Sequence, residues 1–98
     1  MKIASEDFII YVKSMEGKCF LTQFRGKPFT IENASNGFFF TPQSTGKTRF
    51  HDFDTLRRIL EKYNHTSSLH PKDYFDITMN ASYTLALIKI YVEHKVSI

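Results

Sequence analysis

Apolar and polar positions alternate along this chain in four blocks, each with its own period. In residues 5–15, Phe8, Tyr11, Val12 and Met15 fall at i, i+3, i+4 and i+7, one stripe of a helix. Ser5 suits the N-cap, Glu6 and Asp7 the positive end, and Gly17 the exit. Ile9-Ile10-Tyr11-Val12 also has strand character, and Glu16-Gly17 would close a hairpin, but cap and stripe agree on a helix.

Residues 18–41 read as three strands. Cys19 to Phe24 are rich in β-formers, Arg25-Gly26-Lys27-Pro28 is a turn, and Phe29-Thr30-Ile31 is a second run. Asn36-Gly37 is a strong turn signal, and Phe38-Phe39-Phe40-Thr41 follows as a third strand. Short connections favour an antiparallel meander. Strand parity puts Phe20, Thr22 and Phe24 on one face and Cys19, Leu21 and Gln23 on the other. Both faces are partly apolar, so helices or a partner are expected to cover them. At least two rings of the Phe38-Phe39-Phe40 run are expected to be buried, on opposite faces.

Residues 52–63 carry the clearest helical pattern. Asp52 is placed to cap it, Phe53, Leu56, Leu60 and Tyr63 form the stripe, and Ile59 widens it. Pro71 suits the first turn of a short helix through Tyr74 and Phe75. A longer helix over residues 81–94, with Asn80 as its cap, has almost no polar face. Such a helix is central or buried in a partner. A homodimer through residues 81–94 is therefore one expectation, and burial between the sheet and the preceding helix is the other.

The whole is one α+β domain over residues 1–98: an N-terminal helix, a three-stranded antiparallel meander, then two to three helices packed on the sheet. A chain of this size buries roughly 60–65% of its unfolded surface. The element order of the first part resembles that of double-stranded-RNA-binding domains. The basic cluster those domains carry at the start of their second helix is missing, because Asp52 and Asp54 stand there.

Charge sharpens this picture. The net charge is +3, and the excess lies in residues 13–49, where Lys13, Lys18, Arg25, Lys27, Lys47 and Arg49 face only Glu16 and Glu32. A local excess attracts anions where a diffuse one does not. Residues 38–50 pass from three phenylalanines into a small-polar turn with two cations, Lys47 and Arg49. Cations interleaved with Phe20, Phe24, Phe29, Phe38, Phe40 and Phe50 have the composition of a nucleic-acid surface, in which charge neutralises phosphate and rings stack on bases. The expected function is a non-catalytic module contacting the DNA or RNA backbone through Arg25, Lys27, Lys47 and Arg49, extended by Arg57 and Lys62. The alternative is a protein-interaction, inhibitor or accessory protein, of mobile-element type, using an apolar surface and the C-terminal helix.

Catalytic and cofactor signals are thin. Gly46-Lys47-Thr48 ends like a P-loop, but Thr41 stands where that motif needs a glycine. His51, His65, His70 and His94 lack metal-ligand spacing and are expected in loops and caps, so no metal or cofactor is assigned. A small nuclease with His51 as acid–base group is the remaining enzymatic reading, and an enzyme is not expected. Cys19 is the single cysteine, so no intrachain disulfide forms, and it is expected to be buried. Asn33, Asn64 and Asn80 each begin a glycosylation sequon but are read as caps and turns. No stretch reaches the roughly 20 apolar residues of a membrane span, and Ser5, Glu6 and Asp7 interrupt any leader. A cytoplasmic protein without membrane contact is expected.

Overall fold

A computed structural model describes residues 2–97 of the chain. Helix α1 (Ser5–Lys13) is followed by strands β1 (Cys19–Leu21), β2 (Pro28–Ala34), β3 (Gly37–Pro42) and β4 (Arg49–Asp52). Helix α2 (Phe53–Thr66), a 3-10 turn (Pro71–Tyr74) and helix α3 (Ala81–Ser97) complete it. The α+β class stands, and residues 5–13 are helical rather than extended. Ser5 is the first helical residue and not the cap. Ala4 takes the cap position, without a side-chain hydrogen bond.

The sheet is an antiparallel meander of four strands in the order β1-β2-β3-β4, one more than the three expected. Arg49–Asp52 is too short and too polar to announce itself as a strand. It is fixed by pairing Phe39 with Phe50 and Phe38 with His51. The β2–β3 turn is Ser35-Asn36, one residue earlier than Asn36-Gly37. Gly37 opens β3 instead, because β4 runs so close that a Cβ there would overlap the His51 carbonyl oxygen and come 2.7 Å from Asp52 Cα.

All three helices lie on one face of the sheet. Phe29, Ile31, Phe38 and Phe40 point into that layer and are fully buried. Phe38 and Phe40 thus share the inner face, while Phe39 points outward, 37% exposed. The expectation of burial on both faces fails because no element covers the outer one. Leu21 and Cys19 share that open face, so Cys19 is exposed rather than buried.

Helix α2 starts where the sequence placed it. Asp52 accepts a hydrogen bond from the Thr55 amide at 2.7 Å, and this bond holds its carboxyl below the usual aspartate range. Helix α3 owes its apolar character to a central position. Leu85, Ala86, Leu87, Ile88 and Tyr91 are buried within the domain. The Tyr83 ring packs on Phe29 and Phe40, and Tyr91 meets Phe8 and Tyr11 edge-on. Much of the apolar surface that motivated a homodimer through residues 81–94 is thus covered inside one chain, while Tyr83, Ile90 and Val92 stay half-buried.

His51 belongs to this core and not to a loop or cap. It is 2% exposed, its Nδ1 lies 2.8 Å from Thr84 Oγ1, and the Phe40 ring meets it edge-on. Burial lowers its pKa to about 4, against the opposing pull of Asp52. No helix among the described residues is long and apolar enough to cross a membrane.

Candidate nucleic-acid interface

A four-stranded meander places its first and third connections at the same end of the sheet. Here those connections are residues 22–27 and 43–48, the two turns that carry Arg25, Lys27 and Lys47. Strands lie ~4.8 Å apart, so the turn centres are separated by about 10 Å. Gln43 ties them together. Its amide donates to the Pro28 carbonyl at 3.0 Å, and its side-chain nitrogen reaches Cys19 Sγ at 3.5 Å.

Each turn is braced from within. The Thr22 amide donates to the Lys27 carbonyl, and the Thr22 hydroxyl accepts from the Lys27 amide, both at 3.0 Å. Gly26 donates to the Thr22 carbonyl and sits at φ +61°, a left-handed conformation that glycine adopts without penalty. In the second turn the Gly46 amide donates to the Pro42 carbonyl, and the Thr41 and Thr48 hydroxyls meet at 3.0 Å. Arg25, Lys27 and Lys47 are all exposed on these braced turns. None forms an ion pair among the described residues.

The other expected site residues are placed differently. Arg49 opens β4 opposite Phe40, half-buried on the inner face, and its Nε is buried without a hydrogen-bond partner among the described residues. Arg57 pairs with Glu6 at 3.3 Å, and Lys62 pairs with Asp76 at 2.9 Å while lying over the Tyr74 ring. The Lys62 hydrogen bond holds the Asp76 carboxyl below its usual range. Arg57 and Lys62 thus each have a carboxylate partner at the surface, unlike Arg25, Lys27 and Lys47.

Next to the β1–β2 turn lies a groove of about 530 Å³ between that turn, the 3-10 turn and the start of α3. Arg25 and Lys27 form one side and Lys72 the other. Phe24 stacks on His70, with ring centroids 5.0 Å apart and planes at 14°. Phe24, Phe75 and Met79 line it and remain exposed at 62%, 46% and 70%. No aspartate or glutamate among the described residues lines it. The nearest carboxylates in sequence are engaged elsewhere, Asp73 by the Ser68 hydroxyl and Asp76 by Lys62.

The sequence pattern marks Arg25, Lys27 and the Phe24 ring but not Lys72, His70 or Phe75. These lie more than forty residues downstream, beyond the reach of any local helix or strand pattern. The packing of the 3-10 turn against α3 and the stack of His70 on Phe24 bring them across.

His51, the residue of the nuclease reading, is buried on the inner face in contact with Phe40 and Thr84. Among the described residues no group of three or more His, Cys, Asp or Glu side chains is placed to hold a metal ion. Compared with protein-family models, with curated proteins and with solved structures, the chain matches none.

Proposed function

We propose that this protein is a non-catalytic nucleic-acid-binding module that holds backbone phosphates with Arg25, Lys27 and Lys47, joined by Lys72 across the groove. The observation that carries this reading is the arrangement of the meander. It brings two cation-bearing turns to one end of the sheet and leaves their cations without ion-pair partners among the described residues. Unpaired cations keep their full capacity to displace counterions from a polyanion. Arg25 adds a planar fork that matches phosphate oxygens.

A salt titration of oligonucleotide affinity tests the reading. Replacing Arg25 and Lys47 together by glutamine lowers the slope of log K against log [salt] by about 1.4–1.8, the value for two phosphate contacts. An unchanged slope removes these turns from the site.

A second reading, a protein-interaction module, draws on the open sheet face. There Phe39 and Phe50 lie 5.0 Å apart, 37% and 42% exposed, beside Leu21 at 59%. Such a module would not be retained on heparin at moderate salt, and the nucleic-acid module would be.

A further inference from the structure

We infer that the groove beside the β1–β2 turn takes the unpaired bases of a single-stranded nucleic acid. This rests on the nucleic-acid reading above and narrows it to one class of ligand. Three features of the groove lead to it.

The first is charge. Arg25, Lys27 and Lys72 stand on its two sides with no carboxylate among the described residues of its lining, so an anionic occupant is complementary to it. The second is exposed flat apolar surface. Phe24 is stacked face to face on His70 and is still 62% exposed, which leaves its opposite face to continue the stack. Phe75, at 46%, supplies a second ring in the same lining. Rings beside cations are how single strands are held, because every unpaired base has a π-face to offer. In a duplex those faces are stacked on one another and only base edges and phosphates are presented. The third is size. A volume of about 530 Å³ lies within the range of small-ligand sites, suiting nucleotide-sized units rather than the side of a double helix.

An acidic peptide would satisfy the charge but not the stacked ring pair, since carboxylate side chains have no extended π-face. Stacking also predicts tolerance of sequence, because it does not read hydrogen-bonding edges.

The test is fluorescence anisotropy on the full chain with a labelled oligothymidine of about 15 nucleotides and a mixed-sequence duplex of equal length, at one salt concentration. The single strand is expected to bind roughly tenfold tighter. Phe24→Ala and Phe75→Ala each weaken single-strand binding by roughly 5- to 100-fold, leave duplex affinity unchanged, and leave the salt slope unchanged. Both rings are exposed, so thermal melts of the variants should match the parent. Equal affinity for the two polymers, or no effect of either substitution while the Arg25 and Lys47 salt dependence persists, overturns this inference and leaves the broader reading standing. Displacement of the oligothymidine by polyglutamate at matched charge also overturns it, because charge alone then explains binding. Failure to bind either polymer overturns both.

Discussion

His51 makes the stability of this domain depend on pH in a window where few other groups act. Its ring is buried against Phe40 with one nitrogen on Thr84, and burial lowers its pKa from 6.5 to about 4. A histidine depressed in the folded state is protonated more readily when unfolded. The unfolded chain then binds more protons between the two pKa values, and stability falls as pH falls through that window. A tenfold difference in proton affinity between the two states corresponds to ~1.4 kcal/mol. Full stability is present above about pH 7, about 2 kcal/mol is lost by pH 5, and about 3 kcal/mol by pH 4. For a domain of this size the loss at pH 5 lowers Tm by roughly 10 °C. The Asp52 carboxyl, itself depressed, acts below this range and does not confuse it. Urea titrations followed by circular dichroism at pH 7.5, 6.5, 5.5 and 5.0 measure the slope. His51→Asn, whose side-chain amide can keep a bond to Thr84, lowers stability overall through the lost ring but removes most of the slope. The difference between parent and variant isolates His51. A parent whose stability is flat within about 0.5 kcal/mol from pH 7.5 to 5, or a variant with the same slope, refutes the buried, neutral imidazole.

Two further changes test the frame that positions the site. Gly37→Ala drives a methyl into the β4 backbone at His51 and Asp52, and is expected to cost about 3 kcal/mol or more in urea unfolding; a cost below about 1 kcal/mol would show that β4 does not approach Gly37 so closely. Asp52→Ala removes the bond to the Thr55 amide and should cost about 1 kcal/mol in the same assay, whereas no loss would mean the cap does not stabilise α2.

Much of the helical framework was legible because its signals are local. The stripe from Phe53 to Tyr63 and the Asp52 cap are properties of consecutive residues, and α2 begins where they predict. The strand count was not legible, because Arg49–Asp52 has the composition of a turn and becomes a strand only through its partners on β3. The burial of Phe38-Phe39-Phe40 turned on which face of the sheet the helices cover, and three identical residues carry no information on that. The last helix was ambiguous for a related reason. A helix apolar all round reads the same whether a second chain or its own sheet covers it, and here Tyr83 packs on Phe29 and Phe40 of the sheet. Half of the candidate site followed from counting charges between residues 13 and 49. The other half, Lys72 with His70 and Phe75, arrives through tertiary contact alone.

The dimensions of the sheet also determine how its cations act. The two basic turns are two strand spacings apart, about 10 Å, which is close to the Debye length of ~8 Å at physiological salt. At that distance mobile ions largely screen each turn from the other, so on the proposed function the turns would act as separate phosphate contacts rather than as one pooled field. Single neutralisations at Arg25 and at Lys47 should then lower the salt slope by equal steps, and the double change by their sum. Lys72 differs, because it shares one groove with Arg25 and Lys27 and has exposed apolar rings between them. On the proposed function, the groove rather than the far turn is where charge and stacking would act on the same nucleotide. Its geometry in turn depends on Tyr83 seating α3 against Phe29 and Phe40, so the groove is held in register by the same ring cluster that closes the core.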